Sequence, residues 1–130
     1  MKALVADDDF TSRLLLQTLL RRYGECHIAL NGREAVEAFR SARNSGKKYD
    51  LVCLDIMMPE MDGQAALRAI RAEEANAGIF TKGVKIFMTT ALGEVKDVTA
   101  SFEGLCDAYL LKPIRPSKLI EQLKNFGLVE

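Results

Sequence analysis

The sequence predicts an α/β protein built on a five-stranded parallel sheet. Three observations predict it. Five short apolar runs, each of four or five residues, punctuate the chain at Ala3–Ala6, Cys26–Leu30, Leu51–Leu54, Val84–Met88 and Ala108–Leu111. None alternates cleanly with polar residues, as expected of strands buried on both faces. Helix-period segments fill the intervals, so strand and helix alternate at roughly 26 residues per unit, the signature of right-handed βαβ crossovers.

The elements follow in order. After the first run, Leu15, Leu16, Leu19 and Leu20 place an apolar stripe on a helix from about Thr11 to Tyr23, with Asp9 or Thr11 as a candidate cap. The second helix, about Arg33 to Arg43, carries Ala35, Val36 and Phe39 on one face. Asn31 and Glu34 stand at capping-box spacing before it. Leu67, Ile70 and flanking alanines mark a third helix from about Gly63 to Asn76. A fourth is expected from about Gly93 to Phe102, and a fifth opens at Pro116 and ends near Gly127. Residues 77–83 read as a loop, and no linker or repeat interrupts the pattern, so residues 1–130 form one domain.

Composition bounds the function. The chain has 130 residues, 18 Lys+Arg against 18 Asp+Glu and one His, with 48% hydrophobic residues. That is a globular composition with no net charge, which argues against polyanion partners such as nucleic acid or an anionic membrane surface. No apolar run approaches the ~20 residues of a membrane span, and the amino terminus lacks a signal-peptide core; a cytoplasmic protein is expected. Cys26, Cys53 and Cys106 form no Cys-x-x-Cys pair, so neither a disulfide framework nor a zinc site is indicated.

Chemistry concentrates at the strand ends. Open parallel sheets bind ligands beyond the carboxyl ends of their strands, where strand order reverses. Asp7-Asp8-Asp9 follow the first run, Asp55 the third, Thr89-Thr90 the fourth and Lys112-Pro113 the fifth; the second is followed only by Asn31-Gly32. With strand order 2-1-3-4-5, the four reactive ends are neighbours and the barren one lies at the edge. Carboxylates gathered without His or Cys favour Mg²⁺. Lys112 supplies a positive charge for a phosphate oxygen, Thr90 a hydroxyl, and a carboxylate nucleophile among them implies an acyl-phosphate.

This constellation resembles the receiver domain of two-component response regulators. Leu4-Val5-Ala6-Asp7-Asp8-Asp9, Asp55-Ile56-Met57-Met58-Pro59-Glu60-Met61-Asp62-Gly63, Thr90-Ala91 and Lys112-Pro113 carry the likeness across the whole chain. It implies the doubly wound, flavodoxin-like arrangement with five helices. By the same resemblance Asp55 is the phosphoacceptor. Asp8 and Asp9 form the acidic pair that holds Mg²⁺ with Asp55 and the backbone carbonyl of Met57, leaving Asp7 as a strand-end residue. Thr90 would bond the phosphoryl group, Lys112 would pair with it, Tyr109 would be the switch aromatic, and Lys112–Pro113 would be cis. The likeness also implies a phosphoryl donor, a sensor histidine kinase or histidine phosphotransfer protein, docking on the first helix and loop ends. The readout face would include Glu94, Phe102, Tyr109 and Lys118. Lone His27, on the second strand, is read as structural.

Met57 and Leu92, two residues beyond Asp55 and Thr90, are both apolar where the chemotaxis-type pattern can orient water, so a long-lived phosphorylated state is expected. Such a chain catalyses only its own phosphorylation and dephosphorylation and is not otherwise an enzyme. The initiating Met and short tail point to a stand-alone regulator acting through protein contact, with an excised receiver of a larger regulator as the alternative. Asp7-x-Asp9-x-Thr11 also resembles the motif of haloacid-dehalogenase-like phosphatases, with Asp7 as nucleophile and Asp9 as general acid. That reading leaves Asp55–Gly63 unexplained.

Overall fold

The computed structural model describes residues 1–79, 83–91 and 105–130. Five strands form one sheet: β1 (Lys2–Ala6), β2 (Glu25–Ala29), β3 (Leu51–Asp55), β4 (Lys85–Ala91) and β5 (Ala108–Lys112). All neighbours are parallel and the spatial order is β2-β1-β3-β4-β5, the order expected. Four helices are described: α1 (Phe10–Leu20), α2 (Gly32–Asn44), α3 (Gly63–Asn76) and α4 (Pro116–Asn125). The further helix expected at Gly93–Phe102 lies outside the described residues, as do Leu92, Glu94 and Phe102.

Successive strand residues point to opposite faces, and here both faces are apolar. Leu4, Ala6, Val52, Leu54, Ile86 and Met88 pack against Val36 and Phe39 of α2 and Leu67 and Ile70 of α3. Ala3, Val5, Leu51, Cys53 and Phe87 pack against Leu16, Leu19 and Leu20 of α1 and Leu119 and Leu123 of α4. The unbroken apolar runs are therefore strands covered on both sides.

Local chemistry sets the helix starts. Asn31 caps α2 by accepting from the Glu34 backbone N–H at 2.9 Å, while the Glu34 carboxylate reaches back to the Asn31 amide. Asp62 caps α3 through the N–H of Ala65. Strand β4 runs past the apolar run expected to end at Met88, because two β-branched threonines extend it to Ala91. Helix α1 closes at Leu20, earlier than Tyr23, in a turn before β2.

At the amino-terminal end of the sheet, Arg71 of α3 draws several segments together. Its guanidinium donates to the carbonyls of Leu105 and Val84 and to the carboxylates of Glu74 and Asp107. Glu73 joins α3 to α2 through Arg40 and Arg43. His27 stands 2.7 Å from the Tyr49 hydroxyl, a packing role far from the strand ends that carry Asp55 and Lys112. No helix among the described residues is long and apolar enough to cross a membrane.

Candidate functional site

The β1–β3 register pairs Ala6 with Leu54, so the next residues along, Asp7 and Asp55, fall side by side at the carboxyl edge of the sheet. Asp55 is itself the Cα partner of Thr89, and Lys112 that of Ala91. Strand order thus delivers the four reactive strand ends to one place.

Asp7 is fully buried and Asp55 nearly so. The Lys112 ammonium lies 3.1 Å from Asp55 Oδ2 and 3.2 Å from Asp7 Oδ2. Burial, and then the charge of Asp7, push the Asp55 carboxyl up to about 7 against the opposing pull of Lys112. Burial works against the Lys112 charge, yet Asp55 and Asp7 outweigh it and hold the ammonium above the ordinary lysine value. One ammonium faces two buried carboxylates, and exposed Asp8 adds a third acid beside them.

Carboxylate oxygens of Asp7, Asp8 and Asp55 all lie within 4.8 Å of one another, close enough to share one cation. The donors are hard oxygens, and Asp7 Oδ2, although buried, accepts no hydrogen bond among the described residues. The arrangement fits a hard divalent ion.

This trio corrects the expected acidic pair. Asp9 was expected beside Asp8, with Asp7 left as a strand-end residue. Instead Asp9 is the N-cap of α1: its Oδ2 accepts from the backbone N–H of Ser12 at 3.1 Å and from its hydroxyl at 2.7 Å. That side-chain bond from Ser12 is the main reason the Asp9 carboxyl titrates below its ordinary value. The backbone N–H of Asp9 in turn donates to Asp7 Oδ1 at 2.8 Å. The Asp9-x-x-Ser12 spacing was the available signal for the cap; the adjacency of Asp7 to Asp55 depends on strand register.

The remaining residues sit as follows. The Met57 backbone N–H donates to Asp55 Oδ1 at 3.3 Å, and its side chain is 63% exposed beside the site. Thr90, fully buried, follows the register partner of Asp55 on β4, and its hydroxyl donates to the Ala91 carbonyl at 3.2 Å. Tyr109 is half-buried on β5. Lys112–Pro113 is cis. Gly63, the first residue of α3, allows a close approach that no other residue permits: a Cβ there would lie 2.1 Å from the Asp55 carbonyl oxygen. Burial raises the thiol of Cys53 and pushes that of Cys26 up to about 11, which leaves both protonated and unreactive.

Comparison with known proteins agrees with this geometry. A family model described as response regulator receiver domain matches residues 3–124. A probable transcriptional regulator, ycf27, of Pyropia yezoensis is 38% identical over 126 residues, covering 95% of this chain and 46% of that relative; the chain thus spans about half the length of this relative. The chemotaxis protein CheY of Thermotoga maritima is 32% identical, with 95% of each chain covered. Among solved structures, the co-crystal of the Saccharomyces cerevisiae histidine phosphotransfer signaling protein Ypd1 with the receiver domain of its downstream response regulator Ssk1 aligns with a TM-score of 0.84 at 25% identity, covering 98% of this chain and 89% of that one. The family match, together with an Asp9 committed to a helix cap, removes the phosphatase alternative.

Proposed function

We propose, on the premise that this chain belongs to the response regulator receiver family, that Asp55 accepts a phosphoryl group from a phosphohistidine and thereby switches a protein-binding surface. The observation that carries the reading is Asp55 itself, a carboxylate held between the Lys112 ammonium and the carboxylates of Asp7 and Asp8.

The cation would be Mg²⁺, which the carboxylates of Asp7, Asp8 and Asp55 would hold, with the backbone carbonyl of Met57 as the further ligand the family likeness implies. When bound it neutralises the clustered acids and offers positive charge to a phosphoryl oxygen. In the transfer, an oxygen of Asp55 attacks phosphorus in line; the P–N bond breaks as the P–O bond forms, and the imidazole leaves after taking a proton from water. Such a transfer needs mainly positioning and charge neutralisation. Lys112 moves its charge from the carboxylate to the new phosphoryl oxygens. Thr90 donates its hydroxyl to them, and Tyr109 repacks as Thr90 moves. The chain acts on no substrate beyond its own Asp55.

The donor is a histidine kinase or histidine phosphotransfer protein working in the cytoplasm. Phe10 and Leu14 of α1 and Met57 after β3 are exposed apolar side chains that offer a landing for it. The readout lies around β5 and α4, where a groove of about 360 Å³ runs between Tyr109, Leu111, Arg115 and Lys118.

Phosphotransfer from a panel of radiolabelled phosphohistidine proteins tests this. Label should pass to the wild type in Mg²⁺ and not in chelator. Transfer that persists in chelator would contradict the reading.

A further inference from the structure

We infer that Arg13 is a positioning residue for the cation site: its guanidinium holds the peptide that joins Asp7 to Asp8 and so places the Asp8 carboxylate. The inference rests on the proposed assignment of Asp7, Asp8 and Asp55 to Mg²⁺.

The three acids are not held equally. The Asp7 side chain is fixed by the Asp9 N–H and by Lys112, and its backbone N–H donates to the Ala29 carbonyl at 3.4 Å. Asp55 is fixed by Lys112 and by the Met57 N–H. Asp8 is exposed, and among the described residues its side chain has no hydrogen bond or ion pair. Its place within reach of the other two carboxylates therefore comes from its backbone.

The peptide preceding Asp8 has one side-chain anchor among the described residues. Arg13, in the first turn of α1, donates from a terminal guanidinium nitrogen to the Asp7 carbonyl at 3.1 Å. The backbone of Arg13 is itself set by the cap, its N–H donating to the Asp9 carbonyl at 2.9 Å. Its guanidinium also lies over the exposed ring of Phe10 at 5.6 Å, which steadies the long side chain. A rigid fork on a capped helix thus fixes the tilt of the Asp7–Asp8 peptide plane.

Charge and position predict opposite signs. A guanidinium beside a divalent-cation site repels the ion, so deleting its charge alone would tighten binding. Losing a residue that orients a ligand typically weakens metal affinity ~10–100-fold.

The test is calorimetric titration of the metal-free protein with Mg²⁺, alongside thermal melting to monitor folding. Arg13→Met should weaken Mg²⁺ binding about tenfold or more even though it removes a repelling charge. Arg13→Lys, which keeps the charge on a shorter stem that stops short of the Asp7 carbonyl, should weaken it too. In phosphorylation by acetyl phosphate, the Mg²⁺ concentration for half-maximal rate should rise while the rate at saturating Mg²⁺ stays unchanged. Equal or tighter binding by Arg13→Met overturns the inference; if that variant does not fold, unchanged affinity in Arg13→Lys overturns it. A wild type that binds no Mg²⁺ overturns the proposed function itself.

Discussion

The ammonium of Lys112 lies 3.1 Å from the Asp55 carboxylate, reaching from the edge strand β5 across to β3 in the middle of the sheet. The strand order β2-β1-β3-β4-β5 brings these ends close, and the same ammonium meets Asp7 of β1 at 3.2 Å. The pair sets the resting charge of the site, and a change in that charge is what phosphorylation imposes.

Replacing Lys112 by Met should therefore hurt most when no cation is present. It leaves two buried carboxylates facing each other without a counter-charge. Breaking a buried pair costs about 3 kcal/mol, at the low end of the usual range because Lys112 is 20% exposed. Thermal melting in chelator should show the loss, and added Mg²⁺ should recover more stability in the variant than in the wild type.

The raised pKa of Asp55 gives a pH dependence of defined sign. From an ordinary value of about 4, Asp55 rises to about 7 in the metal-free fold. Between those values the folded chain holds a proton that the unfolded chain has released. The contribution of Asp55 to stability in chelator should therefore be fully present below about pH 4 and be lost as pH rises through about 7. Because the ion must displace that proton, Mg²⁺ affinity should climb by about tenfold per pH unit below the pKa and level off above it. Melting and calorimetry across pH 5 to 8, with Asp55→Asn as the control that flattens both curves, check this.

Met57 leaves an apolar side chain beside the acceptor, with no group to orient an attacking water. Phosphorylated Asp55 should decay slowly, and Met57→Asn should speed the decay by on the order of tenfold by supplying an amide to hold that water. Decay of isolated labelled protein in Mg²⁺ measures both; a wild-type half-life of seconds would contradict the expectation.

Thr89 carries a buried hydroxyl with no hydrogen-bond partner among the described residues. Thr89→Val replaces it with a methyl of the same shape and should raise stability by about 1 kcal/mol, seen as a Tm increase of roughly 3–5 °C. Phosphorylation of Asp55 should be unaffected.

Much of this was legible in the chain. Unbroken apolar runs announced strands covered on both faces, Asn31 and Glu34 announced the start of α2, and the stretch from Asp55 to Gly63 announced the central acid. What local spacing hid was lateral. Asp7 rather than Asp9 joins the acidic cluster because the Ala6–Leu54 pairing sets Asp7 beside Asp55, while Ser12 draws Asp9 into the helix cap. Arg13 is equally hidden from local spacing, since its partner is a backbone carbonyl rather than another motif residue. Arg71 gathers Leu105 and Asp107 from more than thirty residues away, a contact no sequence window contains.

The most direct test is to locate the phosphoryl group. Wild-type protein incubated with acetyl phosphate and Mg²⁺ should carry a single phosphate that peptide mass spectrometry assigns to Asp55, and Asp55→Asn should carry none. Phosphate found on Asp7, or undiminished labelling of Asp55→Asn, would contradict the assignment of Asp55 as the acceptor.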